Sequence, residues 1–248
     1  MSGAYNKFAW FYDRLQKDVP YSDMAKLFDK LIKKYSSEKE VVLDLACGTG
    51  SLSMEMAKLG YDVIGVDLSQ DMLNEALDKN FESGLNIRYL CQNMTKLELY
   101  AAADAVVCTL DSLNHLPNFE DVEKTIEKVS EYTYKGGVFI FDVNTLYKHR
   151  NILGNNAFNF DLEDLFCAWQ NEINEDNSVN IYLDFFEKEN NGKYSRYSEN
   201  FTEHYFDPKD IEEVLEKNNF QVIEKYDGYS ENNVTEDTQR ILYVCKKL

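Results

Sequence analysis

The sequence predicts an α/β fold: a doubly wound, mostly parallel seven-stranded sheet with helices on both faces, plus an inserted antiparallel meander of about three strands. Three observations predict it. Five short, nearly continuous apolar runs lie before residue 145, helical stretches separate them, and two-residue alternation takes over afterwards. With 248 residues and 44% apolar content the chain can bury roughly three quarters of its unfolded surface, which excludes a disordered or fibrous protein.

In chain order, Met24, Leu27, Phe28, Leu31, Ile32 and Tyr35 recur at helical spacing behind Ser22, a residue type suited to an N-cap, so a helix precedes the first strand. The runs at 41–46, 61–67, 86–91, 104–110 and 136–143 read as strands buried on both faces, and the Val122, Ile126, Val129 stripe marks one of the intervening helices. Strand and helix alternating in this way give a parallel sheet with right-handed crossovers. Residues 165–206 then alternate as strands do, as in Val179, Ile181, Leu183 and Phe185, with turn signals at Asp176-Asn177 and Asn191-Gly192. Asp207-Pro208 opens a helix, and strands at 220–226 and 240–245 close the sheet as a hairpin. The expected organisation is one domain from 1–144 and 207–248, with 145–206 inserted as a roof over a substrate pocket or a contact with a second copy of the chain. Packing on the domain's own helices is the bland alternative for the insert.

Charge and cysteine content narrow the partners. The net charge is −18 and lacks the basic stripe through which proteins release counterions from nucleic acid, so nucleic acid and acidic membranes are not expected partners. No apolar stretch approaches the roughly 20 residues of a membrane span, and the start shows no basic segment leading into an apolar one, so a cytoplasmic location is expected. The five cysteines are widely spaced with no C-x-x-C pair, which argues against a disulfide framework or a zinc site, and no metal is expected.

Ligands of such sheets bind outside the carboxyl ends of the strands, at the switch in strand order. The first strand runs into Asp44-Leu45-Ala46-Cys47-Gly48-Thr49-Gly50-Ser51, a glycine turn that lets backbone approach a ligand, and Asp67 ends the next strand, where a carboxylate can take both hydroxyls of a ribose. The turn lacks the third glycine of the dinucleotide fingerprint, Ser53 standing in its place. Asp44 would set a carboxylate beside a pyrophosphate at a cost on the order of several kcal/mol. The ligand is therefore read as an adenosyl compound carrying a cation, with a dehydrogenase disfavoured. The bland alternative is that Asp44 caps the loop and the glycines merely turn the chain.

The stretches VLDLACGTG (42–50), VIGVDLSQDML (63–73) and CQNM (91–94) resemble those of the seven-stranded, Rossmann-like S-adenosylmethionine-dependent methyltransferases. The resemblance is close over 40–144 and extends to the rest through the order of elements. It implies S-adenosylmethionine as cofactor, with Gly48 and Gly50 near its methionine part, Asp67 on the ribose, Leu68 and Met72 flanking the adenine, and Asn93 facing the adenine amine beside the Met94 backbone. Asp44 and Cys108, which ends the fourth strand, are counted with them among the residues around the cofactor. Some relatives carry a nucleophile there, but with no proline before it Cys108 reads as core.

Tyr5-Asn6-Lys7-Phe8-Ala9, Tyr12-Asp13, the 111–116 stretch and the meander are similar to small-molecule N-methyltransferases of the amino-sugar and glycine types. That similarity implies an amino-terminal segment closing over the cofactor, with Tyr5 and Tyr12 near the sulfonium and His115 aimed at the acceptor. For the tyrosines, apolar packing against the sheet is the alternative.

Methyl transfer asks little of side chains beyond alignment and exclusion of water, contributions worth up to ~7–11 kcal/mol. An amine acceptor, however, is an ammonium at neutral pH and must lose a proton. His115 follows a buried strand at the catalytic edge and titrates in the useful range, so it is the candidate base. A loop histidine bonded to backbone is the alternative. His149 and His204 read as surface or meander residues. The expected function is methyl transfer to a small-molecule acceptor at nitrogen, with an O-methyltransferase or a non-catalytic binding module as alternatives.

Overall fold

The computed structural model describes residues 5–248, with side chains described from Phe8 onward. Helix α1 (Tyr5–Leu15) and helix α2 (Tyr21–Tyr35) lead into strand β1 (Val41–Leu45), then α3 (Ser51–Lys58), β2 (Asp62–Asp67), α4 (Gln70–Ser83), β3 (Arg88–Cys91), β4 (Ala103–Cys108), α5 (Phe119–Glu131) and β5 (Thr133–Asn144). A second sheet follows as β6 (Ala157–Asp161), β7 (Leu165–Ile173), β8 (Val179–Lys188) and β9 (Tyr194–Glu203). The chain then closes through α6 (Pro208–Lys217), β10 (Phe220–Asp227) and β11 (Arg240–Lys247).

The main sheet has the order β10-β11-β5-β4-β1-β2-β3. Strands β1 to β5 pair in parallel, and β10 and β11 are the antiparallel hairpin expected at the end of the chain. Because β1 lies between β2 and β4, the connections leaving β1 and β4 diverge, and a crevice opens between their carboxyl ends. Strand alternation divides the core in two. Leu43, Leu45, Val106, Phe139 and Phe141 meet α5 and α6 on one face, while Val42, Val107 and Ile140 meet α2 and α3 on the other.

Three local expectations change in the structure. Helix α2 starts at Tyr21 behind Pro20 with no side-chain cap, so Ser22 sits inside the first turn and caps nothing. The antiparallel sheet has four strands, because β6 adds itself to the outer edge of β7. Only Phe158 and Phe160 alternate there among polar residues, too short a run to read as a strand. His149, read from the sequence as a surface or meander residue, is wholly buried in the segment before the second sheet, its Nδ1 donating to the Asn177 carbonyl at 2.8 Å.

Helix α1 joins the two sheets. Phe11 stacks on Phe185 at 4.8 Å within a third apolar core that includes Leu165, Val179 and Ile181. Its other end is tied to the main sheet, since Asp13 accepts from Thr49 and from Lys79 Nζ at 2.7 Å. No helix among the described residues is long and apolar enough to cross a membrane.

Candidate functional site

The turn after β1 is built from left-handed backbone. Ala46, Gly48 and Gly50 have φ of 58°, 54° and 74°. At Gly50 the glycine answers two demands, because a Cβ there would also lie 2.3 Å from Tyr89 Oη. At Gly48 the space is open, with only Tyr12 Cε1 at 3.9 Å. Gly48 accordingly lines the crevice, whereas Gly50 lines neither of its cavities and shapes the turn from behind.

Asp67 closes this side. One carboxylate oxygen accepts the Gly48 amide and the other accepts the Ser69 amide, both at 2.8 Å. A carboxylate has about four lone-pair sites, so acceptor capacity remains toward the cavity. Burial raises the Asp67 pKa above the ordinary value. Asp44 is fully enclosed beneath the turn and accepts from Ser53; burial, with Asp67 nearby, pushes its pKa up to about 7.

The main cavity, of about 470 Å³, runs from this turn to the second sheet. Leu68, Met72, Asn93 and Met94 line one end. The Asn93 oxygen accepts from both the amide and the hydroxyl of Thr95, each at 2.9 Å, which occupies its two lone pairs and fixes the amide's orientation. Asn93 therefore offers donors to the cavity, not the acceptor anticipated for an adenine amine. Tyr12 is half-buried and lines both the main cavity and a narrow one of about 30 Å³ beside Asp44. Burial, with Tyr21 and Asp111 nearby, holds its hydroxyl far above the ordinary tyrosine pKa, so Tyr12 is a neutral donor. The Tyr5 side chain lies outside the described residues. Cys108 is fully buried in the core and lines no cavity, so it packs the sheet and is removed from the set expected around the cofactor.

The opposite wall begins where β4 ends. Leu110 and Asp111 are consecutive left-handed residues with φ of 57° and 60°, each a conformation that costs on the order of 1–3 kcal/mol outside glycine. Asp142 holds this elbow, accepting the Leu110 amide at 3.1 Å, the Asp111 amide at 2.9 Å and the Tyr229 hydroxyl. Arg240 pairs with Asp111 and, through Nε at 3.1 Å, with Asp142. Lys148 adds a second cation, 3.2 Å from Asp111. Burial alone would raise the Asp111 carboxyl, but Arg240 and Lys148 hold it well below the carboxylate range. For Glu203, burial and the nearby Asp111 dominate, and its pKa rises to about 7.

His115 ends a short 3-10 turn, Ser112–His115, that springs from this elbow. Its ring opens on the cavity and packs on Phe201 of β9 at 5.0 Å. The ring is exposed to the cavity, yet desolvation by the surrounding walls lowers its pKa below the ordinary 6.5, against the pull of Asp111. Asn114 ties the turn to the second sheet, donating to the His204 carbonyl at 2.8 Å and accepting the Asn144 amide at 2.9 Å. The sequence reading missed Asp142, Lys148, Arg240, Glu203 and the pocket residues Phe8 and Glu199. The only signal was a charged residue inside or beside a buried strand, as in the run containing Asp142.

Residues 42–137 match a family model described as a methyltransferase domain. A protein from Geobacillus sp. (strain WCH70), named as a methyltransferase, is 31% identical over 245 residues, covering 98% of this chain and 99% of its own. The crystal structure of an S-adenosylmethionine-dependent methyltransferase from Clostridium acetobutylicum ATCC 824 is 36% identical with a TM-score of 0.88, covering 99% of both chains. An amino pentose methyltransferase from Micromonospora echinaspora, 17% identical with a TM-score of 0.77 over 96% of both chains, shares the fold.

Proposed function

The chain belongs to the S-adenosylmethionine-dependent methyltransferases, and we propose that it methylates a small-molecule acceptor at nitrogen, with His115 as the base. Its crevice fits the cofactor. The cavity is of ligand size, Gly48 leaves the turn open where a side chain would intrude, and Asp67 keeps free lone pairs for vicinal hydroxyls. Asp44 would face the cationic end. Leu68 and Met72 would flank the adenine, and the Asn93 amide would donate to one of its ring nitrogens. Bound there, S-adenosylmethionine supplies an electrophilic methyl group on a sulfonium, whose neutral thioether is an excellent leaving group.

The observation that carries the nitrogen reading is the position of His115 in the wall of this cavity, its ring accessible from the cavity and braced on Phe201. An ammonium acceptor has no lone pair until it gives up a proton, and a free ring nitrogen of His115 can take it. Asp111, kept ionised by Arg240 and Lys148, then favours the imidazolium so formed. Tyr12 stays protonated and can only donate or exclude water from its side of the crevice.

The test uses labelled S-adenosylmethionine with paired amines and alcohols of the same skeletons. Label is expected on nitrogen, and His115→Ala should lower turnover by about 10²- to 10⁴-fold with cofactor affinity unchanged. Label confined to oxygen would overturn the nitrogen assignment, and equal losses of turnover and affinity would reduce His115 to a wall of the pocket.

A further inference from the structure

The second sheet meets the cavity along β9, its edge strand. Tyr197, Glu199, Phe201 and Glu203 share one face of β9, opposite Phe185, Leu183, Ile181 and Val179 of β8, all four buried and apolar. Glu203 ends that row in the polar network, receiving a hydrogen bond from Asn144 Nδ2 at 2.8 Å. Glu199 stands in the middle of it, between two aromatic residues and across from a leucine.

Three carboxylates line the main cavity, and two are satisfied. Asp67 accepts two amides, and Asp121 pairs with Lys124 at 3.4 Å. Among the described residues Glu199 has no hydrogen bond and no ion pair, and burial raises its pKa above the ordinary glutamate value. Half-buried against an apolar sheet, this carboxylate has lost part of its hydration, and a cation or strong donor arriving from the cavity would replace it.

The two groups lie on one side of the cavity: Phe201 packs on His115, and Glu199 stands two residues from Phe201 on the same face of β9, about 6.6 Å along the backbone at the usual strand rise. Phe201 and Phe8, 6.5 Å apart, line the cavity with it, an aromatic lining that suits a short hydrocarbon spacer and the flank of a cation.

We propose that Glu199 determines acceptor specificity by holding a second, positively charged group of the substrate, on the same face of β9 as the Phe201 ring that packs on His115. The acceptor class is a small dibasic amine: one nitrogen is deprotonated and methylated, and the other stays an ammonium on Glu199. The inference rests on the methyltransferase reading above.

Calorimetry on the full chain saturated with S-adenosylhomocysteine tests it, with putrescine, its amino-alcohol counterpart and butylamine as probes. Putrescine should bind about tenfold tighter than either of the others, the scale of one charge-assisted hydrogen bond. Glu199→Gln should abolish that preference with S-adenosylhomocysteine affinity unchanged, which also shows that the variant is folded. Equal binding of the three probes, no binding of any, or a preference that survives in Glu199→Gln overturns the proposal. A loss of S-adenosylhomocysteine affinity in the variant does so too, by making Glu199 a residue of the fold. If the wild-type chain fails to bind S-adenosylhomocysteine at all, the methyltransferase reading is what falls.

Discussion

Around Gly48 and Asp67 the cavity wall consists of backbone conformation and carboxylates already engaged by amides, whereas around His115 and Glu199 it consists of side chains that still have bonds to make. The two walls also differ in what supports them. Behind the first lie a short turn and a helix that follow one another directly in the chain. Behind the second lies a buried ionic network gathered from β5, the segment after it, β9 and β11. One wall suits a ligand whose shape never changes; the other can change its chemistry without disturbing the sheet.

The strongest way to break this comparison is to remove the network's central cation. Arg240→Met leaves Asp111 and Asp142 buried without their shared partner, and should cost about 3–5 kcal/mol of stability in denaturant titration. A variant as stable as the parent would show that the elbow at Leu110 and Asp111 stands without its ionic support.

A glycine pair sharpens the comparison from the other side. Gly50→Ala meets both the left-handed penalty of about 1–2 kcal/mol and the Tyr89 hydroxyl, so it should destabilise the fold, and Tyr89→Phe in the same chain should restore part of the loss. Gly48→Ala meets only the backbone penalty and puts its methyl group into open crevice, so it should weaken cofactor binding more than it weakens the fold. Equal effects of the two substitutions on melting and on affinity would erase the distinction between the turn's front and back.

The mildest effect concerns Asp44, whose pKa of about 7 leaves it largely protonated in weakly acidic solution. A cationic ligand favours the carboxylate, so binding below pH 7 must expel a proton. Cofactor affinity should rise with pH toward 7, by up to about tenfold per unit, and then level off. Asp44→Asn should flatten that profile in calorimetry. For the cofactor-free fold the sign is opposite. A carboxyl raised above its unfolded value adds stability at low pH that is lost as pH climbs through 7.

The order of strands and helices, the left-handed turn at Gly48 and Gly50, Asp67 at the end of β2 and the Asp207-Pro208 helix start were all legible in the amino-acid sequence. Apolar periodicity, positive φ and capping are properties of neighbours a few residues apart, and neighbours are what a sequence displays. Only the tertiary structure decided that His149 is buried, that the Asn93 oxygen is taken and that Glu199 faces the cavity with no partner among the described residues. It alone joined Arg240 to Asp111 across 129 residues of chain. Whether a polar group is satisfied depends on partners brought from anywhere in the fold, and no periodicity encodes that.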